Sequence, residues 1–273
     1  MENNLNIALK NVGDMALKRR ARRIVEELNL QDGDKVLEVG CGNGYYLSLL
    51  NRIGKKVDLV GIDHDRLALK DAIKYIGNNK VKLIYSKAEN LPFESSVFDK
   101  VVMSEVIEHV NDEEKTLKEI KRVLKKGGIL VLTTCNIEYP FLWDPINWVL
   151  QHFFNTHIES GFWAGIWNQH TRLYKEKTVQ KLVNKAGLEV EVLESLTFWC
   201  LPFNHYIVNF IARLFYSHKL PRALATGMNK FKNNQQSFLI VLGFWLINLL
   251  DSLNDLLPQE TGVSIFLKAR RRF

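Results

Sequence analysis

VLEVGCGNGYY, Val36 to Tyr46, is a short apolar run, then a loop carrying Gly40, Gly42 and Gly44, then the start of a helical pattern. Glycines there let the backbone turn sharply and let a ligand approach it with no Cβ in the way. In open α/β sheets such a loop binds a nucleotide at the carboxyl edge of the strands. The spacing is G-x-G-x-G. The dinucleotide fingerprint G-x-G-x-x-G would need glycine where Tyr45 stands, which weakens a nicotinamide-dependent dehydrogenase. Glu38 precedes the loop, and its carboxylate suits a ligand with a cationic amino group better than one with a pyrophosphate.

Outward from this loop, short apolar runs alternate with longer helical patterns. The runs Lys35–Val39, Val57–Asp63, Val81–Ser86, Phe98–Ser104 and Gly128–Thr134 read as strands. Gly44–Ile53, Arg66–Ile76 and Asp112–Lys125 read as helices between them. This spacing predicts βαβ units and a largely parallel sheet covered on both faces. Asn111 or Asp112 can cap the helix of 112–125, and Gly127 with Gly128 would stop it. Residues 14–29 form a further helix. Beyond Cys135 the pattern loosens over 136–170, which hold Trp143, Trp148, Trp163 and Trp167. A helix from Glu176 to Ala186, an extended run from Leu188 to Leu193 and a last strand Val263–Ala269 complete the reading. The expected organisation is an N-terminal helix (1–30), a cofactor-binding half (31–135), an aromatic insertion (136–170), the rest of the sheet (171–196 and 259–273) and an apolar helical insertion (197–258).

Asp63 ends the second strand, LVGID, where an acidic side chain can accept hydrogen bonds from both ribose hydroxyls. Alone, an Asp at a strand end is more often a turn residue. The glycine loop one strand earlier favours the ribose role.

These segments together resemble the class I S-adenosylmethionine-dependent methyltransferase superfamily, within it the group of the ubiquinone and menaquinone biosynthesis methyltransferases. VLEVGCGNG, GIDHD, SKAENLPFESSVFD, VVMSEVIEHV, LKEIKRVLKKGGILVLTTCN and HTRLYKEKTVQKLVNKAGLEV match its motifs in order. The resemblance is strong over residues 30–135 and moderate over 168–195. It implies a Rossmann-like seven-stranded sheet whose last strand is antiparallel, with S-adenosyl-L-methionine as cofactor. It further implies that Glu38 contacts the methionine amino group, that Gly40, Cys41, Gly42 and Gly44 form the loop around methionine and ribose, and that Asp63 holds the ribose hydroxyls. His64, Ala88 and Glu89 would lie by the adenine, and Ser104 and Glu105 near the methionine end. His64 departs from the pattern, since a small or apolar residue often follows the acid.

A sulfonium is already an activated methyl donor, so alignment of acceptor, methyl and sulfur supplies much of the rate. A general base is needed only where the acceptor loses a proton during attack. His109, in EVIEHV, and His170, in HTRLY, are the candidates, each with a structural hydrogen-bonding role as the plainer reading. Glu108 and Arg172 are weaker ones. Cys41, Cys135 and Cys200 lie far apart and show no zinc spacing, so no metal site is expected and a reducing cytoplasm fits.

The chain has 273 residues, 47% hydrophobic and 25% charged, enough for a full core. Its net charge of +7 is concentrated at Lys18–Arg23 and Lys268–Arg272. Those clusters either sit solvated or attract anionic partners. No nucleic-acid-binding module accompanies them, which weighs against RNA or DNA as partner. The first residues show no secretory signal. Phe238–Leu250 is uncharged, but about 13 residues fall short of the ~20 that span a bilayer, leaving a buried or interfacial helix.

The two apolar blocks follow strands at their carboxyl ends, on the cofactor side. In the second, Phe198, Trp199, Leu201, Phe203, Tyr206, Ile207, Phe210, Leu214 and Phe215 run at roughly helical spacing. They read as a cover for an apolar acceptor (lipid, isoprenoid or quinone-like) or a membrane-surface contact; a plain lid and a homodimer interface remain open. The function expected is methyl transfer to such a small acceptor. A polar acceptor, or a cofactor-binding but inactive partner protein, is the alternative.

Overall fold

The computed structural model describes residues 2–10, 12–77, 81–168, 170–199, 203, 206, 238–256 and 261–272, and only the backbone of 238–241. The apolar runs become strands β1 (Lys35–Val39), β2 (Asp58–Asp63), β3 (Val81–Tyr85), β4 (Phe98–Ser104), β5 (Leu124–Cys135), β6 (Glu189–Leu196) and β7 (Ser264–Arg270). They form one sheet in the order β3-β2-β1-β4-β5-β7-β6. β1 to β5 pair in parallel, and β7 runs antiparallel to both β5 and β6. The strand order reverses between β1 and β4. In doubly wound sheets that reversal opens a crevice at the carboxyl ends of the two strands.

Alternation along each strand divides the core. Val36, Leu59, Val131 and Phe266 face helices α1 (Glu2–Leu9), α2 (Met15–Leu28), α3 (Tyr45–Arg52) and α4 (Arg66–Ile76). Leu37, Val39, Val101, Met103 and Leu267 face α5 (Glu113–Val123) and α7 (Glu176–Lys185). Four helices begin on aspartates that accept a backbone N–H: Asp14 from Leu17, Asp65 from Leu67, Asp112 from Lys115 and Asp144 from Asn147.

Four expectations need correction. Helix α5 ends at Val123, not Lys125, because Leu124 is already extended and starts β5. Gly127, at φ +77°, turns within that strand entry and does not stop the helix. A separate helix, α1, precedes α2. Its buried Leu5 and Leu9 join the core under α3. The loosened segment contains α6 (Pro145–Phe154) and a 3-10 turn, Phe162–Trp167. Asp144 caps α6 through Asn147, accepts from Ile166 N at 2.9 Å and takes the Tyr206 hydroxyl at 2.5 Å, so one buried carboxylate ties the insertion together.

Most side chains of the basic clusters are paired with carboxylates, while Arg272 stays exposed. Lys18 and Arg19 bind Asp251 at 3.1 and 2.6 Å, and Arg23 pairs with Glu27 and Glu194. At the other end Lys268 pairs with Glu27, Arg270 with Glu191, and Arg272 with Glu189. Asp251 closes α8 (Phe238–Asp251), which a short α9 (Leu253–Leu256) follows. Leu242, Trp245, Leu246 and Leu249 of α8 are exposed, so that helix is not the buried one the sequence allowed. No described helix is long and apolar enough to cross a membrane. Leu201, Ile207, Phe210, Leu214 and Phe215, with Cys200, lie outside the described residues.

Candidate active site

The loop after β1 is held by the backbone of β2. Gly40 and Cys41 N–H groups both donate to Ile62 O, at 2.9 and 2.8 Å, and Gly44 N donates to Cys41 O. Gly40 has φ +72°, and a Cβ there would overlap Val106 in the turn after β4. Gly42 has φ +48° and nothing within 4 Å of where a Cβ would stand. Its bare backbone therefore faces open space at the crevice. Gly44 serves packing: a Cβ would come 2.7 Å from Ile76 of α4. The Cys41 side chain is buried and turned toward Gly61.

Asp63 closes the loop from the neighbouring strand. One carboxylate oxygen accepts Gly42 N at 2.7 Å and the other accepts Asp65 N at 2.8 Å. A carboxylate offers about four lone-pair sites, so two remain for hydroxyl donors. Glu38 lies buried beneath the loop and accepts Leu47 N at 3.1 Å, at the N-terminal turn of α3. Burial first, and the charge of Asp63 second, push its pKa well above the usual carboxylate range. A cationic group arriving beside it would favour its charged form. His64 is largely exposed, its ring nitrogen 3.6 Å from Asp63. Ala88 packs at the edge of the core, and Glu89 accepts Asn111 N at 3.0 Å.

The strand next to the loop ends differently. Ser104 Oγ donates to the Tyr46 hydroxyl at 3.0 Å and lies 2.8 Å from Thr133 Oγ1. Glu105 is left-handed at φ +55°, which turns its side chain toward β5. There Thr133 Oγ1 donates to it at 3.0 Å, Cys135 Sγ at 3.0 Å, and Arg20 of α2 stands 3.5 Å away. Burial opposes ionisation of Glu105, but Arg20 together with the Cys135 and Thr133 hydrogen bonds and nearby His170 holds the pKa below its ordinary value. Glu108 is fully buried. Burial, then the Glu105 charge, raise its pKa to about 8.

His109 and His170, 61 positions apart in sequence, stack with ring centroids 5.3 Å apart, at 4.0 and 3.7 Å from Glu108 Oε1. Burial and then His170 lower the pKa of His109. Arg172, one of the weaker candidates, is instead structural: it pairs with Glu113 and donates to Val110 O at 2.7 Å. Sequence reasoning overlooked Arg20 and Cys135. Their only trace was a basic run and a lone cysteine at a strand end. The spacing of Glu105 and Glu108 in EVIEH was the readable signal.

A Rossmann-like sheet whose acidic glycine loop faces a carboxylate at the end of β2 defines the class of S-adenosylmethionine-dependent methyltransferases. A methyltransferase domain family matches residues 30–187, and the chain belongs to it. S-adenosylmethionine is its cofactor. The chain is 35% identical over 117 residues to a demethylmenaquinone methyltransferase of Staphylococcus saprophyticus, covering 40% of this chain and 48% of that one. It thus spans about half the length of that relative. An uncharacterised protein of Methanocaldococcus jannaschii is 32% identical over 196 residues, 65% of this chain and 72% of its own. Among solved structures, a Haemonchus contortus phosphoethanolamine N-methyltransferase in complex with S-adenosyl-L-methionine superposes with a TM-score of 0.58. At 17% identity, over 93% of this chain and 52% of that one, it shows the shared fold.

Proposed function

We propose that this chain transfers a methyl group from S-adenosylmethionine to a small apolar acceptor of lipid, isoprenoid or quinone type. The cofactor, when bound, supplies an electrophilic methyl group on a sulfonium. The residues in place fit it. Gly42 offers an unobstructed backbone, Asp63 keeps two lone-pair sites for the ribose hydroxyls, and buried Glu38 faces the cationic amino group. His64, Ala88 and Glu89 border the adenine, and Ser104 the methionine end.

One observation favours an apolar acceptor above others. The chain leaving β5 at Cys135 goes directly into an aromatic insertion, whose Tyr139, Pro140, Phe141, Leu142 and Trp148 line a cavity of about 350 Å³ with Phe198 and Trp199 from beyond β6. Small-molecule sites are concave, mostly apolar and of this order of size. The likeness to a demethylmenaquinone methyltransferase points the same way. His109 is the residue placed to accept a proton from a hydroxyl acceptor, since its ring is about one-third exposed at the carboxyl end of β4. His170 stacks on it and orients it. The exposed face of α8, with Trp245 at its centre, rests on a lipid surface from which such an acceptor is drawn.

The test is transfer from cofactor labelled on the methyl group, with purified protein and an extract of source cells, followed by organic–aqueous partition. Label in the organic phase, lost in Asp63→Ala, supports the reading. Label confined to the aqueous phase replaces the apolar acceptor with a polar one. Cofactor binding with no label in either phase makes the chain an inactive partner protein.

A further inference from the structure

The aromatic groove of the insertion also has polar side chains in its wall: Glu138, Tyr139, His152 and Thr261. Three of them are already engaged. Thr261 Oγ1 donates to Glu138 O and accepts from Asn136 Nδ2 at 3.4 Å. Tyr139 donates its hydroxyl to Gln151 Oε1. The Glu138 carboxylate pairs with Lys175 at 3.1 Å.

His152 differs from these three. It stands one helical turn after Trp148 on α6, so the two side chains share a face. The rings stack with centroids 3.8 Å apart and planes 18° apart. His152 Nδ1 is 2.8 Å from Trp148 O. A carbonyl only accepts, so Nδ1 carries the proton and Nε2 of the neutral ring is an acceptor. Stacking fixes the plane of the imidazole, and the hydrogen bond fixes which edge faces the helix. Nε2 therefore points away from α6, and no described residue donates to it. Trp148 is itself braced, with Phe141 edge-on at 5.3 Å.

An apolar groove with one oriented acceptor has a definite preference. Small-molecule sites take their specificity from a few placed polar groups among apolar walls. A ligand that covers Nε2 with hydrocarbon strips it of water and leaves it unpaired, whereas a ligand O–H or N–H replaces the lost water. We propose that His152 is a specificity-determining residue of the groove, accepting through Nε2 a hydrogen bond from a neutral O–H or N–H on an otherwise apolar ligand. This rests on the reading of the groove as the acceptor site. His152 selects and orients the ligand, and the proton-accepting role stays with His109.

The experiment titrates the cofactor-loaded chain calorimetrically with 2-naphthol, a flat apolar probe with one hydroxyl, and with 2-methoxynaphthalene, which lacks the donor. The parent binds 2-naphthol about three- to tenfold more tightly, the range of one net hydrogen bond. In His152→Phe, which keeps a ring over Trp148, the ratio falls to about one. The ¹⁵N resonance of Nε2, assigned by its loss in that variant, moves upfield with 2-naphthol and not with the ether. A purely structural histidine would show neither change. His152 is exposed, so the variant is expected to melt with the parent. Equal binding of the two probes by the parent, or a preference that survives His152→Phe, overturns the role of His152 and leaves the apolar-acceptor reading standing. Binding of neither probe removes that reading, and the role of His152 with it.

Discussion

The glycine loop and the side-chain cluster at the end of β4 occupy the ends of adjacent strands, β1 and β4, yet they are built in opposite ways. The loop is a contiguous run whose shape comes from backbone: Gly40 and Cys41 hang on Ile62, and Gly42 hangs on Asp63, 21 positions away. The β4 cluster is made of five side chains from four segments, Arg20, Glu105, Glu108, Cys135 and His170, joined to one another and to Thr133 and Thr134. Substitution in the loop is therefore felt through backbone conformation and ligand contact. Substitution in the β4 cluster is felt through charge and hydrogen bonding.

The largest contrast is expected in turnover. His109→Ala lowers kcat on a hydroxyl acceptor by about a hundredfold or more while leaving cofactor affinity unchanged, since a positioned base contributes roughly 10²–10⁴. Equal loss of cofactor binding would merge the two edges into one site. Next comes the buried charge pair. Arg20→Met strands the Glu105 carboxylate and costs about 3 kcal/mol in denaturant unfolding, as breaking buried pairs does. The double change Arg20→Met, Glu105→Gln recovers part of that loss, and simple additivity would show that the two do not interact.

Two glycines sharpen the loop side. Gly40→Ala meets Val106 as well as an unfavourable positive φ and costs about 1–3 kcal/mol. Gly42→Ala, with open space around it, costs about 1 kcal/mol, roughly the left-handed penalty alone, and shows its main effect in weaker cofactor binding. The smallest effect carries an unusual sign. Burial and Asp63 raise the pKa of Glu38, so its contribution to stability is complete below the ordinary carboxylate range and is lost as pH rises through the folded value. Glu38→Gln should therefore melt higher than the parent at neutral pH, with the gap closing at acidic pH, while it binds cofactor more weakly. A lower melting temperature at neutral pH would contradict the assigned cause.

The same division governs what could be read from the residues. The alternation of apolar runs and helical patterns located all seven strands within a few residues, because strand burial depends on neighbours along the chain. Glycine spacing and Asp63 marked the ends of β1 and β2 for the same local reason. Asp144 followed by Pro145 was a readable helix start, a capping residue before a proline at the first helical position, but the surrounding aromatics masked its period. Arg20 could not be told from its solvent-facing neighbours, since only folding brings it to Glu105. Cys135 read as a lone cysteine because its contacts, Glu105 and His170, come from the turn after β4 and from beyond the insertion. The pairing of the charge clusters was hidden for a related reason: apart from Glu27 on Arg23's own helix, most of their carboxylate partners lie on other elements.

The most direct measurement is isothermal titration of S-adenosylmethionine into the parent chain, Asp63→Ala and Cys135→Ser. One cofactor should bind the parent and Cys135→Ser alike, and Asp63→Ala should bind about a hundredfold more weakly, the loss expected for charge-assisted hydrogen bonds to two hydroxyls. Undiminished binding by Asp63→Ala, or none by the parent, would contradict the assignment of the cofactor edge.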